Sequence, residues 1–123
     1  MSSAKTVVIA LCSALVALSA CKSQYEALLT SNDADAKYAA AMEYFQNKKY
    51  QRAAQLFESL AILTNGTERD DTVQYYWGLS NYRYKDFYTA ESNFSSFIES
   101  FPRSPFRSEA DNPLLWSKID CKL

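Results

Sequence analysis

The feature that most constrains this chain is an internal repeat. Shifting residues 34–63 along the sequence by 37 positions places them in register on residues 71–100. The paired positions share size and chemistry: Lys48 with Lys85, Tyr50 with Phe87, Ala53 with Ala90, Phe57 with Phe94, Leu60 with Phe97, and Ala41 with Gly78. Because a repeated segment predicts a repeated structural unit, the fold is expected to stack two copies of one unit.

Within each copy, apolar residues recur at helical spacing. The periodicity predicts four helices, over residues 34–47, 50–63, 71–84 and 87–101. Asp33 or Ser31 is expected to cap the first helix, Asp70 or Asp71 the third and Asp86 the fourth. The run from Glu68 to Asp71 is predicted to be a solvated linker with a helix cap rather than a metal site.

Each copy has a small residue in its first helix and Ala then Phe in its second, and Pro102 closes the second copy. This is the tetratricopeptide pattern. Ala41 and Gly78 are expected where the two helices of a pair cross closely. The predicted fold is all-α, with two tetratricopeptide-like helix pairs over residues 33–107. The alternative is an ordinary pair of helical hairpins, which the in-register match disfavours.

A third unit would begin near Ser108, but Pro113 is expected to interrupt its helix. Residues 108–123 are therefore predicted to be an irregular or truncated tail. A hypothesis that follows is a truncated α-solenoid, produced by truncation or frame-shift of a longer protein.

The N-terminus is typical of a signal peptide. Lys5 precedes an apolar run from Val7 to Ala20, too short to span a bilayer comfortably as a helix. Its end, Leu18-Ser19-Ala20-Cys21, matches the lipobox of bacterial lipoproteins. We therefore predict a signal peptide over residues 1–20, acylation of Cys21 and a tether over residues 21–32. A buried core helix is the alternative for the apolar run, and its terminal position disfavours it.

Several chemistries are excluded by composition. The chain has no histidine and only two glycines, Gly66 and Gly78. Ser-His-Asp and Cys-His catalysis, histidine-ligated metal sites and phosphate-binding glycine loops therefore lack their residues. No enzyme activity, metal, cofactor or nucleic-acid partner is expected. Of the three cysteines, Cys12 would leave with the signal peptide and Cys21 would be acylated, so only Cys121 would remain and no internal disulfide is possible.

The order and spacing of several segments resemble the BamD family, the tetratricopeptide lipoproteins of the outer-membrane β-barrel assembly machinery. Besides Cys21, the matching segments are Tyr25-Glu26-Ala27-Leu28-Leu29, Lys37-Tyr38-Ala39, Lys48-Lys49-Tyr50, Leu56-Phe57-Glu58 and Phe101-Pro102-Arg103-Ser104. The resemblance implies a lipid-anchored scaffold on the outer membrane, facing the periplasm. Its implied partners are a BamA-like barrel assembly subunit and segments of unfolded outer-membrane proteins. The resemblance ends after Ala110, where family members continue through further repeats.

Tetratricopeptide arrays bind extended peptides on the surface lined by the first helix of each pair. The residues predicted for this peptide-binding surface are Tyr38, Met42, Phe45 and Gln46 in the first copy and Tyr75, Leu79, Tyr82 and Arg83 in the second. Aromatic rings would stack on a terminal aromatic residue, and Arg83 would bind the carboxylate. The alternative is that the aromatic residues form core between repeats. It is favoured for Tyr38 and Phe45, and for Tyr82 and Arg83 both interpretations stay open.

A second functional hypothesis is a generic tetratricopeptide lipoprotein that scaffolds another cell-envelope complex. Lys22, rather than an aspartate, follows Cys21 and favours the outer membrane. A lipid-modifying hydrolase is the third hypothesis, disfavoured by the absence of histidine and of a Gly-x-Ser-x-Gly motif.

Overall fold

The structure is a computed structural model that describes residues 23–123. The predicted signal peptide and the acylated Cys21 lie outside the described residues. The described residues divide between two units, with the boundary between Ser31 and Asn32. In the first unit, residues 23–30 are helical, so most of the predicted tether has regular structure.

The second unit is built from helices, and residues 23–123 contain no strand. Its helices are α1 (Ala34–Gln46), α2 (Tyr50–Thr64), α3 (Asp70–Tyr84), α4 (Phe87–Ser100), α5 (Arg107–Ala110) and α6 (Pro113–Asp120). The four predicted helices are confirmed, each within one residue at either end. Consecutive helices α1 to α4 pack on one another in turn, as expected of an all-α stack of hairpins.

Two aspartates start helices as predicted. The Asp33 carboxylate accepts a hydrogen bond from the Ala36 amide, and the Asp86 carboxylate accepts one from the Thr89 amide, both at 3.1 Å. Each side chain thereby pairs one of the amides that a helix N-terminus leaves without a partner.

The capping prediction for α3 is wrong. Asp70 and Asp71 both lie inside the helix, whose N-cap is Arg69. Asp70 is buried rather than solvated, because its carboxylate turns back to accept the Gly66 amide at 2.8 Å. Gly66 itself has a φ of 77°, a left-handed conformation that suits glycine.

Gly78 lies where α3 and α4 cross, as predicted. A Cβ atom at this position would be 3.0 Å from Cε1 of Phe94 and 3.1 Å from Cβ of Asn93. Phe94 is fully buried, and Asn93 accepts a hydrogen bond from Asn81 at 2.8 Å. The two helices therefore approach as closely as they do because residue 78 has no side chain.

The ends of the two first helices repeat an unusual backbone conformation. Lys48 follows α1 with a φ of 60°, and Lys85 follows α3 with a φ of 69°. The two lysines occupy equivalent positions of the sequence repeat. A left-handed backbone conformation costs free energy for a residue with a Cβ atom. Because this conformation recurs at equivalent positions, the turns between the two helices of each hairpin have similar geometry.

The prediction of an irregular tail is wrong. Pro113 begins α6 instead of breaking a helix, because the first position of a helix needs no amide donor and suits the fixed φ of proline. Asn112 caps α6 by accepting the Leu114 amide at 2.9 Å. The indole of Trp116 donates to the Ala110 carbonyl at 2.8 Å, which joins α6 to α5.

The tail contributes to the core. We call the buried group that it shares with α3 and α4 the C-terminal cluster: Tyr75, Phe87, Ala90, Phe94, Phe97, Ala110 and Ile119. Ala110 and Ile119 are fully buried. The short helices α5 and α6 therefore cover the apolar face that the second hairpin would otherwise expose.

Candidate peptide-binding surface

A continuous row of aromatic rings crosses the predicted binding surface. Phe45 in α1 lies 5.4 Å from Tyr50 in α2 and 5.2 Å from Tyr76 in α3, measured between ring centroids. Tyr76 lies 5.4 Å from Tyr75, which stacks on Phe106 at 4.7 Å. We call these five residues the aromatic row. Because it joins both hairpins and the segment before α5, Phe45 is part of the packing between repeats, as the core interpretation holds.

Tyr38 and Met42, also on α1, are half-buried. The guanidinium of Arg69 lies over the Tyr38 ring, 4.9 Å from its centroid, and its Nη1 is 2.6 Å from Oδ1 of Asp35. Asp35 is 85% exposed, so this ion pair stands in water and contributes little to stability. The contacts bring the α2–α3 linker beside the start of α1, and they occupy one face of the Tyr38 ring.

The second-copy residues are divided between core and surface. Tyr75 is buried in the C-terminal cluster, and Leu79 and Tyr82 pack against it. The ammonium of Lys118 in α6 lies 5.6 Å from the centroid of the Tyr82 ring. Arg83 is exposed. Tyr75, Leu79 and Tyr82 are thus in contact with other parts of the chain, whereas Arg83 remains open to a ligand.

Burial affects the ionisation of Tyr75. Desolvation raises the pKa of its phenol, and the negative charge of Glu109 raises it further. Tyr75 is therefore held neutral, as suits a ring packed between Phe97 and Phe106.

Two members of the aromatic row, Tyr76 and Phe106, were not among the predicted site residues. Helical periodicity places Tyr76 on a different side of α3 from Tyr75, Leu79 and Tyr82. Phe106 lies between Pro105 and α5, where no helical periodicity indicates which way a side chain points. The available signals were the adjacent aromatic residues Tyr75-Tyr76-Trp77 and the aromatic Phe106 directly after Pro105.

A cleft of about 260 Å³ lies between α2, α3 and the start of α4. We call it the polar cleft. Its lining residues are Gln51, Ala54, Gln55, Glu58, Trp77, Asn81, Tyr84, Asp86 and Thr89. The residues that define the sequence repeat are not among them, so the repeat pattern does not predict the cleft.

A shallower hollow of about 420 Å³ lies at the end of α4, lined by Thr67, Asp71 and residues 100–105. The hydroxyl of Ser104 donates to the Asp71 carboxylate at 2.6 Å and accepts the Phe106 amide at 3.2 Å. These bonds fix the turn that carries Phe106 to Tyr75.

One buried cation was not anticipated. Lys37 of α1 is buried, and its Nζ donates to Oγ of Ser59 at 2.6 Å. Desolvation lowers the pKa of this ammonium. A lysine beside a serine can serve as a base for a nucleophile, but neither residue lines the polar cleft or the hollow at the end of α4. We therefore assign the Lys37–Ser59 pair to the packing between α1 and α2.

Within residues 23–123 no group of three acidic, cysteine or histidine side chains is placed to hold a metal ion. In the same part of the chain, no helix has the length and apolarity needed to cross a membrane. No family model, curated protein or solved structure matches the sequence.

Proposed function

We propose that this protein is a lipid-anchored helical-repeat scaffold that binds segments of unfolded outer-membrane proteins beside the β-barrel assembly machinery. In this proposal Cys21 carries the lipid, the repeats face the periplasm from the outer membrane, and a BamA-like subunit is the partner. The observation that carries the proposal is the pair of in-register hairpins, closed at Gly78 and preceded by a lipobox.

The proposed peptide contact is the accessible part of the predicted surface. It consists of Tyr38 and Met42 on α1 and Arg83 at the end of α3, together with the part of Phe45 that the packing between the repeats leaves exposed. Aromatic and thioether side chains suit an apolar peptide, and Arg83 suits a terminal carboxylate. Tyr75, Leu79 and Tyr82 would join this contact only if the parts of the chain that pack on them moved away, among them Phe106 on Tyr75 and Lys118 on Tyr82.

A crosslinking experiment tests the peptide contact. A peptide that ends in an aromatic residue with a free carboxylate, and carries a photoreactive group, is irradiated with the full chain. Arg83→Glu should reduce crosslinking, whereas Arg107→Glu, at an exposed position of α5, should not. Equal crosslinking by the two variants would remove Arg83 from the site.

Copurification tests the cellular role. Recovery of a barrel-forming subunit with periplasmic domains from detergent extracts would support the assembly function. The second hypothesis, a scaffold for another envelope complex, predicts its absence and the recovery of other envelope proteins. Acyl labelling tests the anchor separately, because Cys21→Ala should abolish it whichever complex the repeats serve.

A further inference from the structure

We propose that the polar cleft binds the side chain of an arginine presented by an extended peptide of a partner protein. The cleft is lined by α2, α3 and α4 and is distinct from the peptide contact on α1. The proposal does not depend on the assembly function, because it follows from the chemistry of the lining alone.

The lining of the cleft is negatively charged. Glu58 and Asp86 both line the cleft, and its lining contains no lysine or arginine. Glu58 is exposed and forms no ion pair within residues 23–123. The Asp86 carboxylate accepts the Thr89 amide and hydroxyl, but no cation neutralises it in that part of the chain. A cationic ligand would complement these two negative charges.

Asn81 presents a hydrogen-bond acceptor to the cleft, although the residue as a whole is only 6% exposed. Its Nδ2 donates to Oδ1 of Asn93 at 2.8 Å, and its own Oδ1 accepts no hydrogen bond from a residue of the described chain. Unlike the Ser80 hydroxyl, this oxygen is not sealed from solvent. A donor from a ligand can therefore reach it and take the place of water.

The cleft also has an aromatic surface. Trp77 and Tyr84 both line the cleft. Tyr38, Tyr44 and Tyr82 each already lie beside a cation of the protein, whereas no such pair is found for Trp77 or Tyr84 among residues 23–123. Aromatic rings attract cations, and guanidinium groups more often than ammonium groups.

Together these features favour arginine. A guanidinium has five N–H donors, stacks on aromatic rings and is less strongly hydrated than an ammonium, so it suits a cleft of acceptors and rings. With about 260 Å³ of volume, the cleft is smaller than typical sites for drug-sized ligands. It therefore suits one side chain rather than a whole small-molecule ligand.

The test is a titration of the ¹⁵N-labelled full chain in detergent with the peptide acetyl-Gly-Arg-Gly-amide. Saturable shifts of the Trp77 indole and Asn81 amide resonances are expected. The same peptide with citrulline, which is neutral and nearly isosteric, should bind about tenfold more weakly because it lacks the charge. Equal binding of the two peptides, or shifts located elsewhere, would overturn the proposal.

Two variants locate the site. Glu58→Gln should weaken binding of the arginine peptide several-fold and leave the citrulline peptide unaffected, and since Glu58 is exposed the variant should fold normally. Glu99→Gln is the matched control, because Glu99 is exposed on α4 outside the cleft. Equal affinities of the two variants would show that general surface charge, rather than the cleft, attracts the peptide.

Discussion

The rings of Tyr75 and Phe106 are stacked, with centroids 4.7 Å apart and planes inclined by 11°. Tyr75 belongs to the middle of α3, and Phe106 comes just before α5. Their contact brings the chain after the second hairpin back onto that hairpin. Together with Ala110 and Ile119, it explains why the surface predicted around Tyr75 is covered.

Phe106→Ala should lower the free energy of unfolding, because it removes a ring stacked on a buried tyrosine. Since Phe106 is only partly buried, the expected loss is about 2 kcal/mol, below that of a fully buried phenylalanine. Urea denaturation of the full chain measures it. Tyr88→Ala is the control, because Tyr88 is 78% exposed and should change stability by less than about 0.5 kcal/mol. Similar losses for both would show that the stack is not a stabilising contact.

Gly78→Ala should destabilise the protein, although alanine in an ordinary helix interior gains about 1 kcal/mol over glycine. The added Cβ would press on the fully buried ring of Phe94 and on Cβ of Asn93, and the expected net loss is about 1–2 kcal/mol. In a Phe94→Leu background the same change should cost less. A double-mutant cycle measures the coupling, and strict additivity would contradict the close crossing.

Ser80→Ala should stabilise the protein. The Ser80 hydroxyl is fully buried and has no hydrogen-bond partner in the described chain. Removing it eliminates the desolvation cost and improves helix propensity, for an expected gain of about 1 kcal/mol. Ser95→Ala is the control: Ser95 lies at an exposed position of α4, so this variant measures the change in helix propensity alone. If chemical denaturation gave equal gains at the two sites, the buried hydroxyl would carry no penalty.

Lys48→Gly and Lys85→Gly should each raise stability by about 0.5–1 kcal/mol, because glycine adopts a positive φ without strain. Part of the gain is offset by the greater freedom of glycine in the unfolded chain. Lys49→Gly is the matched control: its φ is −87°, so it should bring no such gain. The melting temperatures of the three variants are measured and compared. A similar rise in melting temperature for Lys49→Gly would refute the backbone explanation.

Stability should decline at high pH through Tyr75. The folded-state pKa of this phenol is raised by burial and by Glu109, so the unfolded chain loses the proton first. The stabilisation is complete below the unfolded pKa of about 10 and falls as the pH rises above it. Tyr75→Phe should flatten this decline, measured by denaturation across the alkaline range. Tyr88→Phe should leave it unchanged, and an equal effect of both variants would assign the decline to other groups.

The two hairpins could be predicted because the sequence features that define them lie within short segments of the chain. Helical periodicity sets the ends of α1 to α4, and the register of the repeat identified Gly78 as a close crossing before its neighbours were known. The cap of α3 was not predictable in the same way. A single hydrogen bond between Asp70 and Gly66 decides it, and either of two adjacent aspartates could have served as the cap.

The covering of the predicted surface depends on contacts distant in sequence. Periodicity shows which face of α3 carries Tyr75, Leu79 and Tyr82, but not what packs on that face. Pro113 is compatible with either the end or the start of a helix, and the burial of Ile119 decides between them. The polar cleft depends on three helices at once, so no single segment indicates it.

The burial of Ile119 also has a consequence for the order of folding. The second hairpin is complete in sequence at Ser100, but its apolar face is covered only by residues that follow it. In the proposed exported protein, a chain that emerges from the membrane N-terminus first would present an open aromatic surface to chaperones until α6 has followed. The first hairpin can then fold early, whereas the second reaches its final packing only when Ile119 is available.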